Sequence, residues 1–283
     1  MKKLSIITAC FLSLVCLPCQ AQHATVHYIA NEGVMIERGE TRILFDPLFN
    51  NSYGHYTLPP KEMREAIIAG NPPFDGIDAV FISHNHSDHF SPGDILKLLK
   101  AQPQLRLFAP NQAVDGLRKA AKEQDTHVFS RVHSIWLEYR DEPVTLEMDG
   151  LLIEAVRIPH SGWPDDRLDV ENIVFRVTLD KDITVLHMGD ADPNDVHFSR
   201  DAKHWDARKL DLALPPYWFF NSTYGPAVLK DRLQPGHSIG IHVPERMPDD
   251  PEERAEMFHG VDLFTEPGET RIIDIRENEA VND

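Results

Sequence analysis

The sequence predicts a layered α/β domain made of two similar halves, on three observations. Strand-like and helix-like segments alternate along the chain instead of forming separate blocks. Two segments, 33–47 and 172–190, share one grammar: paired β-branched and aromatic runs around a polar turn, ending in Asp46-Pro47 and in Gly189-Asp190. At 283 residues, 42% hydrophobic and 26% charged, the chain can bury a large core and groups with globular rather than disordered or membrane-embedded proteins.

The elements follow in order. Lys2 and Lys3, an apolar run from Leu4 to Leu17 and the stretch Pro18–Gln22 have the layout of a secretory signal peptide. Small residues at Cys19 and Ala21 place the cleavage after Ala21. The apolar run falls short of the roughly 20 residues that span a bilayer, so no stable membrane insertion is expected. Residues 1–21 are read as the signal peptide and 22–283 as a single domain, periplasmic or secreted. Cys10, Cys16 and Cys19 leave with the peptide, so the mature chain holds neither a disulfide nor a thiolate ligand. Loss of Lys2 and Lys3 takes the net charge from −17 to −19.

After the first hairpin, residues 49–76 read as a surface insertion. A helix opens there at Pro59-Pro60, runs to Ala69 and is stopped by Asn71-Pro72-Pro73. Ala79–Ile82 is a buried strand. Ser91-Pro92 starts a helix with an Ile95, Leu98, Leu99 stripe, and Asn111 precedes another with Val114, Leu117 and Ala121. Ile183–Met188, Leu210–Leu214 and Ile239–Ile241 read as strands, and Asp250-Pro251-Glu252-Glu253 opens a helix through Phe258.

Charge excludes one class of partner. Asp and Glu total 45 against 28 Lys and Arg, without the basic clusters that phosphate neutralisation needs, so nucleic acid is not expected. With no Cys in the mature chain, any metal site must come from His and carboxylates.

Ser83-His84-Asn85-His86-Ser87-Asp88-His89 supplies such a site where the strand Ala79–Ile82 ends. His84 and His86 can converge on one cation, while Asp88 and His89 turn towards a second. Imidazole suits zinc, iron and manganese alike, and the carboxylate hardens the second position.

His-x-His-x-Asp-His after an apolar strand resembles the metallo-β-lactamase fold superfamily of dinuclear metallohydrolases. The remaining family motifs follow in order: Arg157-Ile-Pro-His160, Leu186-His-Met-Gly189-Asp190 and Ile239-Gly-Ile-His242, with Thr41-Arg-Ile-Leu-Phe-Asp46-Pro47 upstream. The likeness covers residues 24 to about 245 and implies a four-layer αββα sandwich of two pseudo-repeated halves. It further implies that His84, His86 and His160 hold a first metal, that Asp88, His89 and His242 hold a second, and that Asp190 bridges them. Asp88 would orient a bridging hydroxide, and Asp46 would support the His loop without touching metal. The metals would be two divalent ions, zinc foremost, with Mn2+ and Fe2+ compatible. The chain departs from many relatives at Ile29-Ala30-Asn31-Glu32-Gly33, where they carry a His.

The remaining candidates read more plainly. His187 is a packed or supporting residue; His237 and Asp192 are weaker rivals to His242 and Asp190. Pro215-Pro216-Tyr217-Trp218-Phe219-Phe220 is either core or an apolar wall beside the metals, with Trp163 as partner and Tyr217 or Tyr224 as hydrogen-bond donor.

The Asp at position 190 and the absence of Cys set the chain apart from true β-lactamases, as the resemblance has it. It looks most like the lactonase and phosphodiesterase-like branch. The expected function is that of an exported metal-dependent hydrolase. A metal-bridging hydroxide would cleave an ester, lactone or phosphodiester in a small molecule, anionic with an apolar portion. Two alternatives stand beside it: an inactive metal-binding protein of the same fold, and a mononuclear iron dioxygenase. Oligomeric state is not legible.

Overall fold

A computed structural model describes residues 23–246 and 248–274. The expected signal peptide, with its Cys residues, lies outside the described residues. Among those described, no helix is long and apolar enough to cross a membrane.

The first half opens with β1 (His23–Ala30), β2 (Gly33–Arg38) and β3 (Thr41–Phe45), an antiparallel meander. Three parallel strands extend it: β4 (Ala79–Phe81), β5 (Arg106–Pro110) and β6 (Val132–Ile135). The second half repeats the plan. Antiparallel β7 (Val144–Met148), β8 (Leu151–Arg157), β9 (Ile173–Leu179) and β10 (Ile183–His187) precede parallel β11 (Leu212–Leu214) and β12 (His237–Ser238). β13 (Thr270–Asp274) then returns to pair with β1, giving sheets of seven and six strands.

Alternation along the strands builds the layers. Ile43, Phe45, Ala79 and Phe81 meet Phe175, Val177, Val185 and Leu212 in a core between the sheets. Their neighbours Leu44, Val80 and Leu107 point the other way, onto α1 (Lys61–Ala69), α2 (Pro92–Ala101) and α3 (Asn111–Ala120). On the far side Val156, Val174 and Leu186 pack on Phe198, Trp205 and Phe219, from the helical segments after β10 and β11. The result is the αββα sandwich. Burial on both faces explains why β4 reads as an unbroken apolar run.

Three local details differ from the sequence reading. Ile239–Ile241 is not a strand of its own, because its backbone divides between two neighbours: Gly240 donates to Asp262 O and Ile241 to Pro215 O. Asn111 lies within α3, and its Oδ1 accepts from Ser134 Oγ at 3.3 Å while Pro110 takes the cap position. The insertion is not purely superficial, since Phe49 and Ile67 are fully buried and Tyr56 reaches the site described next.

Candidate dinuclear metal centre

All seven proposed ligands stand at one rim of the sandwich. His84, His86, Asp88 and His89 lie in the loop leaving β4, His160 follows β8, Asp190 follows β10, and His242 follows the bridging segment after β12. The carboxyl ends of neighbouring strands bring them together, as binding residues gather in layered α/β proteins. His84, His86, His160 and Asp190 each offer a donor atom within 4.8 Å of the others; Asp88, His89 and His242 form a second such group.

Asp190 joins the groups. Its Oδ2 lies 3.0 Å from His160 Nε2, and its Oδ1 lies 3.1 Å from His242 Nε2 and 3.2 Å from His89 Nε2. Asp88 Oδ2 stands 3.5 Å from His242 Nε2 and 3.8 Å from His89 Nε2. Nearly all of this is buried; His86 is the half-exposed member.

The outer nitrogens fix the tautomers. Ser83 Oγ donates to Asp46 Oδ2 at 2.5 Å and accepts from His84 Nδ1 at 3.0 Å. His89 Nδ1 donates to Asp46 Oδ2 at 2.9 Å, and His160 Nδ1 to Ser161 O at 2.8 Å. Each bond leaves an Nε2 aimed inward, the arrangement that orients imidazole ligands. His242 is held differently: it sits at φ 57°, its N–H donates to Asn31 O at 3.0 Å, and its ring meets the edge of Tyr56 at 4.1 Å.

The donor set fits cations. Nε2 of His84, His89, His160 and His242, with Asp88 Oδ1 and Asp190 Oδ1, is buried without a hydrogen-bond partner among the described residues. Such orphans cost about 1–3 kcal/mol each, and a shared cation removes that penalty. The electrostatics of the site are consistent with that fit. Burial, then the charges of neighbouring histidines, keeps His84 well below the ordinary His range and moves His86 to about 4. Burial also opposes charge on His89 and His242, but the nearby Asp190 and Asp88 carboxylates override it and raise both. The same histidines lower Asp190 despite its burial.

Residues 41–238 match the family described as Beta-lactamase superfamily domain. The chain belongs to that superfamily. Among curated relatives, the cytidine monophosphate-N-acetylneuraminic acid hydroxylase of Danio rerio is 31% identical over 97 residues, 32% of this chain and 15% of that protein. A UPF0282 protein of Saccharolobus islandicus is 25% identical over 187 residues, 60% of this chain and 56% of that protein. This superfamily member thus spans less than two thirds of the length of either relative. Solved structures share the fold. The metallo hydrolase Igni18 of Ignicoccus hospitalis superposes with TM-score 0.58 at 19% identity, covering 90% of this chain and 100% of that one. An isothiocyanate hydrolase from Delia radicum gut bacteria gives 0.55 at 16%, covering 87% and 98%. CmlA, a diiron β-hydroxylase from Streptomyces venezuelae, gives 0.51 at 14%, covering 89% and 54%.

Within the superfamily fold the other candidates separate. His237 is exposed on edge strand β12, and Asp192 turns to His197 Nε2 at 3.3 Å, so neither joins the centre. His187 is buried against Glu32, its Nε2 3.1 Å from Oε2. The aromatic run divides: Phe219 is core, while half-buried Trp218 donates to Ala191 O at 3.0 Å and lies 5.3 Å from the His242 ring. Trp163 packs on His197, and Tyr224 is exposed at the start of a short helix.

Sequence reasoning missed two asparagines and a tyrosine. Buried Asn172 accepts from the Asp190 N–H at 3.0 Å and donates to Met188 O and Ile158 O. Buried Asn31 donates to Asp88 O at 3.0 Å, coupling the β1–β2 turn to the metal loop. A polar amide beside an apolar strand was the available signal in both cases. Tyr56 carried none.

Proposed function

We propose that the protein is an exported metal-dependent hydrolase of small molecules, acting on an ester, lactone or phosphodiester. The carrying observation is Asp190, whose two oxygens face two separate groups of inward-aimed Nε2 atoms. When bound there, two divalent cations, zinc foremost, would supply a hydroxide nucleophile at neutral pH and polarise the bond to be cleaved.

The chain's own residues do the rest. Asp88 Oδ1, buried and without a donor partner among the described residues, is placed to accept a hydrogen bond from the nucleophile and fix its direction. Half-exposed His86 marks the open side, where substrate enters. Trp218 and Tyr56 frame His242 and supply an apolar surface for the substrate's non-reacting part. Beyond Tyr56 a cavity of about 670 Å³, lined also by His55, Glu245 and Arg246, has room for a small molecule. Export is supported by Lys2, Lys3 and the apolar run to Leu17.

A second reading, oxidation at iron, is supported by the similarity to a hydroxylase over 97 residues. The metal retained on purification separates the two. The hydrolase reading is tested with chromogenic esters, lactones and phosphodiesters on the mature protein and on Asp190→Ala. Hydrolysis that the substitution abolishes supports it; hydrolysis that survives the substitution contradicts it.

A further inference from the structure

We infer that Glu32 is an eighth ligand of this centre, adding a third carboxylate, beside Asp88 and the shared Asp190, to the cation held with His89 and His242. The inference rests on the dinuclear reading and extends it to a residue of the β1–β2 turn.

Glu32 sits in the tight turn between β1 and β2 and is wholly buried. A carboxylate removed from water needs donors or a cation, because isolated charge is costly in a protein interior. Glu32 has little of either. His187 Nε2 donates to the Glu32 backbone carbonyl at 3.0 Å and lies 3.1 Å from Oε2, so its single proton is shared. Neither Oε1 nor Oε2 has a hydrogen bond of acceptable geometry among the described residues. On its other side the carboxylate meets the centre: Glu32, Asp190 and His242 each offer a donor atom within 4.8 Å of the other two.

The surrounding backbone holds it there. Asn31 donates to Asp88 O at 3.0 Å and accepts the His242 N–H at 3.0 Å, so the turn that carries Glu32 is fastened to two residues of the second group. Asp46 also lies nearby, but its oxygens are engaged by Ser83 and His89. The open partner for Glu32 is therefore the cation held by Asp190 and His242.

The chemical consequence is selectivity. The first group presents three imidazoles and one shared carboxylate. The second, with Glu32, presents two imidazoles and three carboxylates, a harder donor set that favours manganese or ferrous iron relative to zinc.

Glu32→Gln keeps the shape and removes the charge. Metal-free wild type and variant, both confirmed folded by circular dichroism, are titrated with Mn2+ and Zn2+ against a chromogenic chelator. The expected result is an unchanged first equivalent and a second equivalent weakened by about 10–100-fold, more for Mn2+ than for Zn2+. A variant that binds both equivalents as wild type does overturns the inference and leaves the dinuclear reading intact. A wild type that binds no metal overturns the dinuclear reading itself. Should Glu32→Gln not fold, X-ray diffraction from Mn2+-loaded wild type decides: a Glu32 oxygen in the coordination sphere supports the inference, and one hydrogen-bonded only to protein overturns it.

Discussion

Asp46 Oδ2 accepts from His89 Nδ1 at 2.9 Å, across a pair of fully buried side chains. Asp46 directly follows β3, the last strand of the first hairpin, and His89 belongs to the loop after β4. The bond therefore carries the register of the sheet into the aim of His89 Nε2. Asp46→Asn would place an amide N–H against one of the donors Ser83 N–H, Ser83 O–H or His89 Nδ1–H. Metal affinity is expected to fall by about 10–100-fold, measured by competition with a chelator; unchanged affinity would show that the bond does not orient the ligand.

Gly189 sets up Asp190. It adopts φ 52°, and an added Cβ would lie 2.5 Å from Asn172 Oδ1 and 2.6 Å from Ser83 Cβ. Gly189→Ala should destabilise the fold by about 1–3 kcal/mol through backbone strain and crowding. It should also reduce metal content, because Asn172 holds the Asp190 N–H. Urea unfolding and elemental analysis read the two effects.

The fold was legible where periodicity and chain order carry it. The 33–47 and 172–190 hairpins became β2–β3 and β9–β10, and both end at the rim, where Phe45 stacks on His187 at 4.8 Å. The ligand motifs were legible because each closes an apolar strand. Glu32, Asn31, Asn172 and Tyr56 were not, since their importance comes from contacts across 14 residues or more of chain rather than from local spacing. Ile239–Ile241 misled because an apolar run does not say which neighbour its backbone will pair with.

Metal uptake should release protons unequally. In the metal-free centre His84 and His86 are held neutral at pH 7, with His86 near 4, whereas His89 and His242 are raised and charged. A ligand must lose its proton to bind, so rising pH strengthens binding at the Asp88, His89, His242 group. Over the same range His84 and His86 have no proton to lose. Calorimetry in buffers of different ionisation enthalpy should show proton release mainly with one equivalent; equal release with both, or none, contradicts this division.

Trp218 offers its ring beside His242. Trp218→Ala should raise KM about tenfold or more for substrates with a ring or acyl portion, as expected when burial worth about 1.5–3 kcal/mol is lost. For the smallest chromogenic esters KM should move less. A uniform KM across a substrate panel would place the apolar wall elsewhere.

The most direct test of the dinuclear account is the metal content of the purified mature protein, before and after chelation, with hydrolysis followed in parallel. The account predicts two equivalents of divalent transition metal per chain, loss of activity on their removal and recovery on their return. A protein that hydrolyses its substrates with no bound metal, and is indifferent to chelation, would contradict it.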